Sequence, residues 1–201
     1  MMPILALAIA YLLGAIPFGY LLVKWKTGRD VRASGSGNIG ATNVLRTSGR
    51  VAGVATLLLD ILKGYLAVWL AERLTGSSAL WMSAAALAVM AGHAFPVFLK
   101  FKGGKAVASF VGAFLCLAPL PLAAVLVVFI GVVAWTRYIS MGSIVGAATL
   151  PLAVWLILHP PAPMVLAAAI GGGFIIWRHR GNIERLRAGT EHVFTFGSKR
   201  A

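Results

Sequence analysis

Acidic residues are scarce in this chain. Five Asp and Glu stand against 18 Lys and Arg, for a formal net charge of +13. The five acids lie apart, at positions 30, 60, 72, 184 and 191. Mg²⁺ and Ca²⁺ need several oxygen ligands in one place, and no carboxylate cluster is there to provide them. No His/Cys/Asp set has zinc spacing either. The expectation is a protein without metal or cofactor, which disfavours a metal-dependent lipid phosphotransferase. Cysteine is nearly missing as well. Cys116 is the single one and lies in an apolar run, so it reads as a small core hydrophobe, and intramolecular disulfides are excluded. No basic stretch precedes the first apolar run, as it would in a cleaved signal peptide. The basic residues follow that run, as in a retained first helix with its N-terminus outside. No internal repeat or inverted-half symmetry suggests a transporter.

Apolar residues fill the space those absences leave. The 201 residues are 60% hydrophobic and only 11% charged, with a mean hydropathy of +0.90. Soluble domains carry about a quarter charged residues, so lipid must be the solvent for most of this surface. In a soluble protein the basic excess would suggest nucleic acid. In a membrane protein it reads as topology signal and anion binding, and no nucleic-acid partner is expected.

Seven apolar segments run over 3–23, 51–73, 79–99, 106–118, 121–136, 140–158 and 163–177. They predict an all-α polytopic membrane protein, one domain over 1–201, with seven transmembrane helices. The fourth, fifth and seventh are short for about 30 Å of hydrocarbon and need flanking turns or local thinning to cross it. Pro119 and Pro121 divide the fourth from the fifth; one kinked helix over 106–136 gives a competing count of six. With the N-terminus outside and seven crossings, the inside segments 24–50, 100–105, 137–139 and 178–201 hold 16 of the 18 basic residues. That bias favours seven and places the C-terminus in the cytoplasm. The outside connections are too short for a site, so the cytoplasmic loops must carry the chemistry.

The first loop, 27–50, is long, polar and expected to be structureless, which in a small protein points to function. It reads Ser34-Gly35-Ser36-Gly37-Asn38-Ile39-Gly40-Ala41-Thr42-Asn43, with Arg46 beyond. Its glycines permit close backbone approach, and Arg46 offers a fork suited to phosphate. A flexible polar connector is the plain alternative. The second loop runs from Gly92-His93 to Gly103-Gly104-Lys105-Ala106 at the start of an apolar helix. Backbone N–H groups and the helix dipole there are expected to face an anion. A Walker A loop is excluded, because Leu99 and Ala106 stand where glycine and Ser/Thr are required. The plain alternative is positive-inside anchoring. His93 alone reads as a helix-end hydrogen-bonder. The tail 177–191 is basic and amphipathic and would lie on anionic lipid. Within it His179 and Asn182 share one helical face, and Ser143 can join them. Asp60 and Lys63, three apart inside the second span, are an internal ion pair or support for a polar path.

Three of these stretches are similar to motifs of one family: Ser34 to Asn43 with Arg46; Gly92 to Pro96 with Gly103 to Ala108; and Trp177 to Ile183 with Arg185-Leu186 and Gly189-Thr190-Glu191. With Leu59 to Gly64 in the second span, the chain resembles the bacterial acyl-phosphate:glycerol-3-phosphate acyltransferase (PlsY) family over nearly its whole length. The resemblance implies a multi-pass enzyme of the bacterial inner membrane with its active site facing the cytoplasm. It implies acyl transfer from a fatty acyl phosphate to the 1-hydroxyl of glycerol 3-phosphate, giving lysophosphatidic acid and phosphate, the first acylation of phospholipid synthesis. Membrane lipids are expected around it, and no obligate protein partner is evident. Soluble-type glycerolipid acyltransferases carry His-x4-Asp; after His93 that position holds Phe98.

An acyl phosphate already has a good leaving group, so positioning and oxyanion stabilisation are the tasks. On this resemblance, Gly103, Gly104 and Lys105 with Asn38, Gly40 and Thr42 would hold the acyl phosphate, and Asn43 is a further substrate-binding candidate. Arg46, Ser143, His179 and Asn182 would hold glycerol 3-phosphate, with Lys105 within reach of both roles. Ser36 would orient the attacking hydroxyl; Ser36, Lys105 and His179 are the catalytic candidates. Either His179 or the donor's own phosphate takes the proton. We favour the phosphate, since no carboxylate orients the imidazole as in a triad. A membrane anion permease or lipid-binding scaffold is the non-enzymatic alternative.

Overall fold

The computed structural model describes residues 1–194. Positions 195–201, with the Lys199 and Arg200 counted in the basic tail, lie outside the described residues. No strand occurs among the described residues, and the all-helical expectation holds. The chain divides into two compact units, Met1–Leu117 and the segment from Ala118 onward.

The first unit begins with α1 (Met2–Ala15). Pro17 removes a donor and restricts Ile16 to extended backbone, so α1 stops there and α2 (Phe18–Thr27) restarts beyond it. Gly28, at φ 69°, ends α2 in the left-handed conformation, the usual glycine stop. A 3₁₀ turn over Val31–Ala33 follows; the Asp30 carboxylate caps it by accepting from the Arg32 N–H at 2.9 Å. Then come α3 (Ala41–Ser48), α4 (Arg50–Thr75), α5 (Ala79–Ala94), a 3₁₀ turn over Val97–Leu99, and α6 (Val107–Leu117). The first loop therefore departs from expectation: it is ordered. Val31, Ile39 and Val44 bury themselves with Val23, Ala52 and Leu99 in a small apolar cluster, and that cluster supplies the folding energy a polar loop lacks.

α1 packs on α4 and α5, and α4 packs on α6. Close approach makes these contacts. A Cβ on Gly14 would strike the Val89 carbonyl oxygen, one on Gly92 that of Tyr11, one on Gly64 that of Ser109, and one on Gly112 that of Ile61. Lipid tails are as apolar as leucine, so small residues that let backbones meet are the natural means of helix association.

The second unit holds α7 (Pro119–Thr136), α8 (Ile139–Leu158), α9 (Ala162–Arg178) and α10 (Arg180–Arg187). α8 packs on both α7 and α9. The fourth and fifth apolar segments are thus two helices, parted at Ala118. Among the described residues, five stretches are long and apolar enough to cross a membrane: Met2–Thr27 counted across its break, Arg50–Thr75, Ala79–Leu99, Pro119–Thr136 and Ile139–Leu158. α9 and α10, bent by 54°, make a sixth if taken together. The expected seven is not reached on length alone, because the 11 residues of α6 rise only about 16 Å.

Candidate active site

In the first unit Asn43 organises the first loop. Its side chain is buried, and its Nδ2 donates to the carbonyls of Val31 (3.2 Å), Ser34 (3.1 Å) and Asn38 (2.8 Å). Its Oδ1 accepts the Ser36 N–H at 2.8 Å. The sequence marks Asn43 as a substrate ligand; its amide is instead committed to the loop, and it sets where Ser36 and Asn38 stand. Gly35, at φ 60°, is required here, since a Cβ would run into the Asn43 Oδ1. Asn38 Oδ1 accepts the Gly40 N–H at 2.9 Å, an Asx turn that leads into α3. Ser36, Thr42 and Arg46 are exposed, and Gly40 is half-buried.

The second loop folds back on the end of α5. Gly103 N–H donates to Ala94 O and Gly104 N–H to His93 O, both at 3.1 Å. This corrects the expectation that these two N–H groups face an anion: they close the loop inward. Lys105, half-buried, follows directly, and Ala106 takes a left-handed φ of 62° that alanine adopts only under constraint. A Cβ on Gly104 would meet the His93 Nε2 and would sit 3.3 Å from Asn38 Oδ1. The two loops therefore approach each other at Gly104, and the Tyr11 hydroxyl pins the second by donating to Phe95 O at 2.8 Å.

The second unit carries the other candidates. His179 is buried, with Nδ1 2.8 Å from Ile175 O. A carbonyl only accepts, so Nδ1 bears a proton; in the neutral form of the ring the lone pair is then on Nε2. A backbone carbonyl thus orients the imidazole that no carboxylate was seen to orient. Ser143 Oγ donates to Ile139 O at 2.9 Å, one turn back along α8.

Glu191 is the residue that sequence reasoning under-read. Its Oε1 accepts from Asn182 Nδ2 at 2.7 Å and from Ser140 Oγ at 3.0 Å, and its Oε2 accepts from Arg185 Nε at 2.7 Å. Burial works against its charge, but the bonds from Asn182, Ser140 and Arg185 outweigh it and hold the carboxyl below the ordinary glutamate value of 4.5. One carboxylate so fixes the Asn182 amide and ties the tail to both α8 and α10. Phe194 N–H donates to Arg137 O at 2.7 Å and secures the chain just beyond. The only sequence signal was the Gly189-Thr190-Glu191 motif, which named the residue but no partner.

In the first unit Asn38 comes up to Gly104, with Lys105 next in the chain. In the second, Glu191 fixes the Asn182 amide, while Ser143 and His179 are each held by a carbonyl of their own helix. The family model described as Glycerol-3-phosphate acyltransferase matches residues 4–189. Among curated relatives, the chain is 50% identical to the glycerol-3-phosphate acyltransferase of Geobacter sulfurreducens, over 93% of this chain and 95% of that one. It is 51% identical to that of Trichlorobacter lovleyi, over 92% and 94%. Its fold is similar to the crystal structure of PlsY (YgiH), an integral membrane glycerol 3-phosphate acyltransferase, in the glycerol 3-phosphate form. That match has a TM-score of 0.92 at 38% identity, over 97% of this chain and 96% of the other. The lysophosphatidic acid form of the same protein matches with a TM-score of 0.89 at 36% identity, over the same shares of the two chains.

Proposed function

This chain belongs to the glycerol-3-phosphate acyltransferase family, and from that premise we propose that it transfers a fatty acyl group from an acyl phosphate to the 1-hydroxyl of glycerol 3-phosphate. The products are lysophosphatidic acid and phosphate. The whole chain acts as one acyltransferase domain. It sits in a bacterial inner membrane with seven crossings, its N-terminus outside, and its C-terminus and active site in the cytoplasm. The basic loops support that sidedness; α6 completes its crossing with the residues that flank it.

The observation that carries the donor assignment is the Gly103–Lys105 turn, closed on α5 through the Gly103 and Gly104 N–H groups, with Lys105 directly after them in the chain. A loop whose own N–H groups are satisfied does not cradle phosphate by backbone. Lys105 is then the principal donor-phosphate ligand, with Asn38, Gly40 and Thr42 beside it and Gly103 and Gly104 supplying close approach. Arg46, Ser143, His179 and Asn182 take glycerol 3-phosphate, Asn43 holds Ser36 in place, and Ser36 orients the attacking hydroxyl.

In the reaction the glycerol oxygen forms its bond to the acyl carbon as the carbon–oxygen bond to phosphate breaks. The hydroxyl proton ends on the departing phosphate or on His179 Nε2. The carbonyl-bound Nδ1–H keeps that tautomer available, so both routes stay chemically open. Purified protein given palmitoyl phosphate and glycerol 3-phosphate in EDTA should release phosphate in step with lysophosphatidic acid. Release that needs added metal, or no release, overturns this reading.

A further inference from the structure

Elements of the first unit meet at one buried polar node directly behind the Gly103–Lys105 turn. α4 contributes Asp60 and Lys63, each 2% exposed. α5 contributes His93, α6 contributes Ser109, and the break between α1 and α2 contributes the Ile16 carbonyl. Lys63 Nζ lies 2.7 Å from Asp60 Oδ1, an ion pair by distance rather than an aligned hydrogen bond. The same ammonium donates to Ile16 O at 2.9 Å and stands 5.6 Å from the centre of the Phe18 ring. His93 Nδ1 is 3.6 Å from Asp60 Oδ1 and 3.3 Å from Ser109 Oγ.

His93 faces two ways. Its Nδ1 edge looks into the node. Its carbonyl accepts the Gly104 N–H, and its Nε2 edge occupies the space a Gly104 Cβ would need. Asn38 Oδ1 lies near the same position. Gly104 thus has the histidine ring on one side and the first loop on the other. A buried ion pair is weak evidence for stability, because apolar residues of like volume often serve as well. Its use is to fix a geometry, and the geometry it reaches here is that of Gly104.

We propose that Lys63, Asp60 and His93 are positioning residues for the Gly103–Lys105 turn. Asp60 sets the plane of the His93 ring, the ring forms the floor beneath Gly104, and Lys63 fixes Asp60 while tying the node to the Ile16 carbonyl. The position of Lys105 then depends on a charge pair buried inside the helix packing of the first unit. The inference rests on the reading that this turn holds the acyl phosphate.

The test uses the full-length protein in detergent and reads the two KM values separately, beside thermal unfolding. Asp60→Asn and His93→Ala should each raise the KM for palmitoyl phosphate about ten-fold and leave that for glycerol 3-phosphate within about two-fold. Gly104→Ala alone should do the same. In the His93→Ala background the added methyl enters vacated space, so the second change should cost less than about three-fold more. Additive effects of the two substitutions, or equal movement of both KM values, overturn the proposal. Where Asp60→Asn does not fold, the neutral pair Asp60→Asn/Lys63→Met replaces it; wild-type KM values in that folded variant also overturn it. Lys105→Ala separates the two readings. If it leaves the palmitoyl phosphate KM unchanged, the donor-site assignment has failed. Coupling between positions 93 and 104 in the unfolding temperature still reports whether His93 supports the turn.

Discussion

The two units hold their candidate groups by opposite means. In the first, the loops around Ser36 and Lys105 rest on buried parts: a six-residue apolar cluster, the Asn43 amide, and an ion pair of which each side chain is 2% exposed. In the second, the groups around Asn182 depend on one carboxylate, Glu191, whose partner Arg185 is partly exposed. Ions buried together inside a helix bundle are shielded from salt and from bulk protons; the Glu191 side chain is itself only 6% exposed, but Arg185, the cation it pairs with, is 37% exposed and meets solvent. On the proposed assignment, the turn that carries Lys105 rests on a buried, fixed support, and the groups around Asn182 on a tether that solvent reaches through Arg185. A small soluble substrate that must enter and leave suits the second arrangement.

Four changes test that contrast. The largest effect belongs to Lys105→Ala. If the ammonium meets charge in the transition state, turnover should fall about 10²- to 10³-fold with little change in unfolding temperature; near-normal turnover would remove the donor-side assignment. Next is Gly112→Val, which forces α6 away from the Ile61 carbonyl. It should destabilise the first unit by about 3 kcal/mol, read from thermal unfolding in detergent, and a neutral result would deny that close approach supports that unit. Glu191→Gln comes third. It removes the charge that Asn182, Ser140 and Arg185 share, a loss of about 2 kcal/mol in the local stability of the tail. Hydrogen exchange over 180–194 should quicken while exchange in α4 and α5 stays put, and the KM for glycerol 3-phosphate should rise.

The mildest test is pH. The folded form holds the Glu191 carboxyl below 4.5, so its stabilising contribution is whole above that value. It is lost as pH falls through the lower, folded value. Acid should loosen the tail in the window below pH 4.5 while the first unit keeps its exchange protection. If the first unit loosens earlier than the tail, the contrast is reversed.

The sequence made the helices legible because lipid demands long apolar runs, and Pro119 and Pro121 with the placement of the basic residues favoured the split between α6 and α7. It also placed every candidate residue but Ser143 in three basic stretches. What it hid was pairing. Ile39 and Val44 are too few among polar neighbours to announce the apolar cluster beneath the first loop. Asn43 looked like a ligand because an amide facing substrate and an amide facing backbone have the same letter. Gly103 and Gly104 suggested open N–H groups, yet a turn can spend such groups on the helix it leaves. Pro17 stood inside an apolar run that otherwise read as unbroken. Asp60 and Lys63 were visible as a pair, but their third partner, the Ile16 carbonyl, lies 47 positions away.

That pairing also bears on how the chain enters the bilayer during synthesis. An isolated charge near the middle of a span is a penalty at the insertion step. α4 carries Asp60 and Lys63 one turn apart on one face, so it can partition into lipid as a net-neutral segment before any neighbour has arrived. Replacing either residue alone would send an uncompensated charge into lipid at that moment, and the first harm would fall on the yield of inserted protein.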